Sequence, residues 1–420
     1  MKTKQFTTPR EDSAKLKQIM TTAALMLLSI VVTASITLFA AEREYNAKLA
    51  ELYERELEYK KIAEVRSYID KYYVNEYDEK DVTDGALYGM VAMLGDRWSH
   101  YLNAEEFASV QNSLKSTVVG IGINSTYDEE NGALLILEVY EGSPAEYAKL
   151  QPFDRIVSVD GKKVSDIGFD AAAKSITGEV DTSVSIVVSR EGVSDPISLS
   201  ITRREIDVPQ VFSKILDGNI GYIKITGFDA NTDKDFIQAL DRLKKAEVSG
   251  IIFDVRNNPG GLMNVLVNTL DPLLGEGTIL REQQKYGNEK VFTSDSNELN
   301  IPMAVITNKY SISAAEFFAA ALHESGKAVI VGEATTGKGV AQSHIPLTDG
   351  SGLVLSTSKY YTGNGVSLEE TKGLVPDRVV ELTEEENKNF YLLSEAQDRQ
   401  LQEAIKVIRE KNTPAEPAAE

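Results

Sequence analysis

The sequence predicts an α/β protein with an apolar helix at its head, a small β-rich module in its middle and a mixed-sheet core behind it. Three observations carry this prediction. Ile19–Ala41 (IMTTAALMLLSIVVTASITLFAA) is uncharged and long enough to cross a bilayer. Short β-patterned runs fill Val119–Glu205. Strands then alternate with amphipathic helices from Asn219 to Gly332, which favours a parallel or mixed sheet with its site at the strands' carboxyl ends.

In chain order, a basic segment (1–18) carrying Lys2, Lys4, Arg10, Lys15 and Lys17 precedes the apolar span (19–41), and Glu42, Arg43 and Glu44 follow it. The positive-inside rule leaves the N-terminus in the cytoplasm and exports the rest, with lipid as the partner of this one helix. A cleaved signal peptide is the alternative, but LFAAE is a poor small-x-small cleavage site. The net charge of −20 argues against nucleic acid as a partner. Cysteine is absent and there are three histidines, so thiolate chemistry is excluded and neither a metal site nor a cofactor is expected.

The charged segment 42–61 reads as a helical stalk, and Leu49, Leu52 and Leu57 leave room for a short coiled coil and a homodimer. The helical part 62–118 follows, with amphipathic helices at Ile62–Tyr73, Asp84–Leu94 (ended by Gly95) and Ala104–Leu114. None carries a catalytic signature, and His100 reads as a packing or surface residue.

From Val119 to Glu205 the runs VVGIGINS, ALLILEV, FDRIVSVDG, FDAAAKSI, SVSIVVS and ISLSITRREI resemble a PDZ domain, with G-S-P-A (Gly142–Ala145) and D-R-I-V-S-V-D-G (Asp154–Gly161) as shared landmarks. A generic β-sandwich is the plainer reading. One departure is Lys149-Leu150-Gln151-Pro152-Phe153-Asp154, where relatives read G-L-x-P-G-D. The resemblance implies that Val119, Gly120, Ile121, Gly122 and Ile123 bind a terminal carboxylate through backbone N–H groups, while the peptide adds as a strand to the sheet edge. In the Ile176-Thr177-Gly178 turn, Thr177 stands where relatives carry a basic residue thought to link tail binding to the rest of the chain. Lys174 or Arg155 are then candidates for that link.

The core (206–385) begins with the strand Asn219–Gly227 and the helix Ala230–Lys245. The strand Gly250–Val255 runs into the turn Arg256-Asn257-Asn258-Pro259-Gly260-Gly261-Leu262, a geometry that exposes backbone N–H groups. A second such unit sets Ser313 at the start of the apolar helix AAEFFAAAL, where the helix dipole and unpaired N–H groups stabilise negative charge. Lys338 follows the strand AVIV between two glycines, where burial disfavours its charged form. These are the parts of a Ser/Lys nucleophile–base pair. The plain alternative makes Ser313 an N-cap and Lys338 a loop residue. A phosphate loop at Gly332–Gly339 fails, because Gly339 replaces the hydroxyl residue and a strand-like stretch with a proline follows. GSGLVLSTSKYYT adds a β segment, a charged helix spans 386–411, and the tail 412–420 reads as disordered.

D-V-R-N-N-P-G-G-L, S-I-S-A-A-E and G-E-A-T-T-G-K-G-V-A-Q, in this order after the PDZ-like module, resemble the carboxyl-terminal processing proteases. G-M-V-A-M-L-G-D-R-W-S-H-Y and K-Y-Y-T-G-N-G fit the same family. The resemblance implies a crotonase-like ββα core with Ser313 as nucleophile, Lys338 as base and Gln342 as the residue that orients the lysine. Ala314 and either Gly261 or Gly260 supply the oxyanion N–H groups. It further implies an enzyme of the bacterial cell membrane that cuts exported proteins near an apolar C-terminal tail. A silent PDZ scaffold that binds tails without cutting is the competing function. Ser311 is a decoy outside the helix start. His323 sits too far along the Ser313 helix to serve as base, and His344, near the site, is displaced from that role by Lys338 and Gln342 together.

Overall fold

The computed structural model describes residues 9–113 and 116–413. Lys2 and Lys4 of the basic head, Leu114 at the expected end of the third helix, and the tail from 414 onward lie outside the described residues. Two compact units divide the chain, Met1–Thr83 and Asp84–Glu420.

In the first unit, span, stalk and the first amphipathic helix merge into one 64-residue helix, α1 (Pro9–Tyr72). No glycine or proline interrupts it after Pro9, so nothing in the sequence breaks the backbone ladder. Leu16–Leu49 within it has mean hydropathy 2.3 and is long enough to cross a membrane. The boundary between the units falls within helix α2 (Glu79–Ala92), which ends before Gly95 at φ 70°.

In the second unit, β1 (His100–Leu102) and α3 (Ala104–Ser113) lead to β2 (Thr117–Gly120). The module that follows contains β3 (Ile123–Asp128), β4 (Ala133–Val139), α4 (Pro144–Tyr147), β5 (Arg155–Val159), β6 (Lys162–Lys163), α5 (Val164–Ile176), β7 (Ser183–Ser189) and β8 (Ile197–Thr202). Its sheet runs β3-β4-β5-β7-β8, which leaves β3 at one edge. Period-two alternation is visible in β7, where Val184, Ile186 and Val188 are buried and Ser183, Ser185 and Ser189 are exposed. Alongside α5, Ala172 and Ile176 close this core. Strand β9 (Arg204–Asp207) leaves antiparallel to β2, so the chain enters and exits the module through one ribbon.

The core sheet contains β10 (Val211–Leu216), β11 (Ile220–Ile225) and β12 (Ile251–Asp254), with helices α6 (Thr232–Lys245) and α7 (Met263–Leu270) after β11 and β12. Strands β13 (Gly277–Gln284) and β14 (Glu289–Ser294) form a hairpin in another sheet, and β15 (Met303–Thr307), α8 (Ala314–Glu324) and β16 (Ala328–Gly332) return to the first. Strands β11, β12, β15 and β16 are parallel neighbours. Both faces of this sheet are covered, which is why its strands read as continuous apolar runs. Ile223, Phe253, Val305 and Ile330 pack on the side of α6–α8, while Tyr222, Ile252, Ala304 and Val331 pack against the last helix.

Strand β17 (Val340–Pro346) pairs antiparallel with β18 (Gly352–Thr362), the centre of the second sheet β1-β18-β13-β14. A two-residue strand, β19 (Arg378–Val379), closes the parallel sheet. The expected single C-terminal helix is broken into α9 (Glu384–Lys388), a 3-10 turn at Phe390–Leu392 and α10 (Arg399–Asn412). The break has a cause in Asp398. Its carboxylate caps α10 by accepting from Leu401 N at 3.0 Å and also clasps Arg256 Nη2 at 2.7 Å. Arg256 is buried, ion-paired to Asp254 as well, and stacked 4.9 Å from the Phe390 ring.

Candidate active site

Parallel strands bring their carboxyl ends to one side, and each end here carries a loop of the site. After β12, the turn Asn257–Leu262 is organised by Asn258, which is fully buried. Its Nδ2 donates to Ile225 O at 2.8 Å, its Oδ1 accepts from Gly260 N at 2.8 Å, and its carbonyl accepts from Ile312 N at 2.9 Å. Gly260 (φ 97°) and Gly261 (φ 144°) are required here. A Cβ on Gly260 would lie 2.9 Å from Ser313 Cβ, and one on Gly261 would lie 2.2 Å from Phe228 O.

After β15, Ser311 and Ser313 take different parts. The Ser311 hydroxyl is buried, donating to Val255 O at 2.8 Å and accepting from Asn308 N at 3.0 Å, so it braces the turn. Ser313 stands at the start of α8 with φ 56° and ψ −117°. A non-glycine residue in such a conformation costs about 1–3 kcal/mol and must be held by its surroundings. Its amide is held by Glu316, which is fully buried. Glu316 Oε2 accepts from Ser313 N and Lys338 N, each at 2.8 Å. Oε1 accepts from Thr335 Oγ1 and Gly337 N, each at 2.6 Å.

After β16, Lys338 extends into the same cleft. Its ammonium donates to Gln342 Oε1 and lies 4.8 Å from the centre of the Trp98 ring. Burial lowers its pKa, against the opposing charges of Asp96 and Glu316. Gln342 Nε2 donates to the Trp98 carbonyl. The β17–β18 register shifts between Ala341 and Gln342, an irregularity of the kind that re-aims a side chain. Trp98 and Asp96 belong to the motif before β1, to which the sequence gives no catalytic role; the fold lays it over Lys338. Ser99 Oγ fastens that stretch to β18 by accepting from Ser356 N at 3.0 Å. His100 is exposed.

Ser313, Lys338, Gln342, Gly260 and Gly261 line one cleft of about 780 Å³, together with Leu262, Met263, Phe292, Val340 and Tyr360. Its wall mixes these apolar side chains with polar and charged ones, among them Gln111, Gln210, Asp229, Glu282 and Lys290. Gly260 N is already committed to Asn258, whereas among the described residues Gly261 N and Ala314 N have no hydrogen-bond partner. His323 is elsewhere, with Nε2 3.0 Å from Asp377 Oδ1. His344 lines the cleft, but its Nδ1 meets Gln111 Nε2 at 3.1 Å and no carboxylate. Among the described residues no cluster of metal-ligating side chains occurs.

In the β-rich module, the carbonyls of Val119, Ile121 and Gly122 accept from Gly178, Ala145 and Tyr140, so they are turned into the protein. Thr177 Oγ1 donates back to Lys174 O at 3.0 Å. Lys174 pairs with Glu105 of α3 at 2.9 Å, and Arg155 pairs with Asp128 at 2.7 Å. Arg203, which the sequence does not single out, closes the end of α5 by donating to Ser175 O at 2.6 Å and Ile176 O at 3.0 Å.

The family model of peptidase family S41 matches residues 219–380. A PDZ domain model matches 135–190, and a model described as the activating protease CtpB N-terminal domain matches 19–106. The carboxy-terminal processing protease CtpA of Bacillus subtilis (strain 168) is 33% identical over 85% of this chain and 76% of its own length. CtpB of the same organism is 33% identical over 77% of this chain and 68% of its own length. A solved structure described as an S41 protease from Bacteroides fragilis superposes with TM-score 0.51 at 19% identity, covering 72% of this chain and 88% of that one, a likeness of fold.

Proposed function

The chain belongs to the carboxy-terminal processing proteases of peptidase family S41, serine-type enzymes with a PDZ domain, and from that premise we propose that Ser313 and Lys338 form its catalytic dyad. The observation that carries the proposal is the convergence of the strained Ser313, the half-buried Lys338 and Gly261, whose amide is free, on one cleft, with the free Ala314 amide next to Ser313 in the chain.

In the proposed cycle, neutral Lys338 takes the Ser313 hydroxyl proton while Oγ attacks the scissile carbonyl carbon. The oxyanion that forms is held by Ala314 N–H at the helix start and by Gly261 N–H, not by Gly260, whose amide is occupied. Lys338 then gives the proton to the leaving amine, and the carbon–nitrogen bond breaks to leave an acyl ester on Ser313. Water, deprotonated by Lys338, attacks that ester and returns the serine. Gln342 holds the lysine from one side through Oε1, and the Trp98 ring shields it from water on another.

Substrates are proteins with apolar C-terminal tails. Val119–Ile123 takes the terminal carboxylate and the tail extends the free edge of β3. Helix α1 anchors the enzyme with its N-terminus in the cytoplasm and its catalytic part outside, a reading supported by the basic residues before the span and by its hydropathy. A serine-directed phosphonate tests the dyad. Labelling should fall on Ser313 and disappear in both Ser313→Ala and Lys338→Ala, and labelling that persists in Lys338→Ala overturns the base assignment.

A further inference from the structure

We infer that His344 is a substrate-binding residue, donating its Nε2–H to a main-chain carbonyl of the peptide in the cleft. This rests on the Ser313–Lys338 reading of the same cleft. Gln111 turns its Nε2 toward Nδ1 at 3.1 Å, and in that orientation the amide donates to Nδ1 and the imidazole proton sits on Nε2. Burial and the neighbouring charge of Lys338 both favour that neutral ring. Among the described residues Nε2 has no hydrogen-bond partner, whereas the Nε2 of His323 has one in Asp377.

The strand that carries His344 explains which acceptor it meets. Strand β17 pairs only with β18 among the described residues, and its other edge is open. Val340, Ala341, Gln342 and His344 of this strand all line the cleft. A peptide lying extended along it presents carbonyls at regular intervals. His344 is two positions past Gln342, which places it about 7 Å farther along the strand. That distance is one dipeptide step beyond Gln342, within the bound substrate and away from the bond being cut. An Nε2 that already carries the proton cannot take another while the ring stays neutral, which separates this role from that of a general base.

The test is steady-state kinetics of the full-length protein on peptides that share a backbone and differ in side chains around the cut. His344→Phe removes the donor and keeps a ring; it should raise KM about tenfold, by the same factor for every peptide, with kcat nearly unchanged. His344→Gln restores a donor and should recover most of the loss. Gln111→Leu should raise KM in the wild type and have no effect added to His344→Phe. An unchanged KM, a KM rise limited to peptides with one kind of side chain, or a thousandfold fall in kcat overturns the assignment. If His344→Phe does not fold, failure of His344→Gln to match wild-type KM together with a silent Gln111→Leu overturns it equally. Phosphonate labelling of Ser313 in the same samples separates the two readings: lost labelling in the wild type is a failure of the dyad, while retained labelling with unchanged KM is a failure of His344.

Discussion

The main-chain amides of Ser313 and Lys338 donate to one carboxylate oxygen, Glu316 Oε2, at 2.8 Å each. Two loops from separate strands are thereby fixed against each other by a side chain that takes no part in bond making. Its other oxygen holds Thr335 and Gly337, so the whole lysine loop hangs on it. Glu316→Gln keeps the shape but turns an acceptor into a donor facing N–H groups, so one of these bonds must fail. We expect kcat/KM to fall at least tenfold with KM little changed, and the melting temperature to drop, since a buried donor left unpaired costs about 1–3 kcal/mol. Kinetics and thermal melts on one sample check both.

The acid limb of the pH profile should belong to Lys338. Burial lowers its pKa, and in the proposed dyad only the neutral amine accepts the serine proton, so kcat/KM should rise with pH through an ionisation below that of an ordinary lysine. Asp96 opposes that shift because its negative charge favours the ammonium. Asp96→Asn should therefore move the limb to lower pH. Trp98→Ala, which exposes the ammonium, should move it to higher pH and reduce the rate at neutrality. A limb that stays in place in both variants would show that another group controls it.

How much of this was legible in the sequence differs residue by residue. Ser313 and Lys338 follow parallel strands in turns whose glycines announce a site, and Gln342, at the start of β17, reaches the same cleft. Glu316 was not legible as a hub. A glutamate three residues after a helix-start serine reads as an ordinary capping box, and its second duty depends on a loop far along the chain. Trp98 was hidden for another reason: its bond to Gln342 uses a main-chain carbonyl, which has no sequence signature. The break between α9 and α10 was missed because helical charge patterning runs through it, while the partner that fixes Asp398 is a buried arginine on β12's exit.

The oxyanion turn should tolerate no side chain. Gly261→Ala places a methyl 2.2 Å from Phe228 O on a backbone at φ 144°, so the turn must move and its amide with it. Losing one oxyanion donor costs about a hundredfold or more in rate. We expect that loss in kcat, with tail binding by the PDZ domain unaffected in a fluorescence titration. Asn258→Ala should act in the same direction by removing the side chain that holds Gly260 N and Ile225 O.

Control of the protease by its PDZ domain should run through the end of α5. Gly178 N donates to Val119 O, so the helix end touches the first residue of the proposed carboxylate loop directly. Arg203 grips the same helix end through Ser175 O and Ile176 O, and the next residue begins β9, the strand that leads into the core. Thr177 carries no charge, and Lys174 is spent on an exposed pair with Glu105, which contributes little. Arg203 is therefore the basic residue placed to report tail binding to the core. Substrates with a free C-terminal carboxylate should be cut faster than the same substrates amidated, and Arg203→Met should shrink that difference. The same substitution should leave the rate on a short untailed peptide unchanged, because Arg203 is outside the cleft. Equal rates on amidated and free-acid substrates in the wild type would remove the carboxylate from the argument. An undiminished difference in Arg203→Met would leave the domain's control to some other contact.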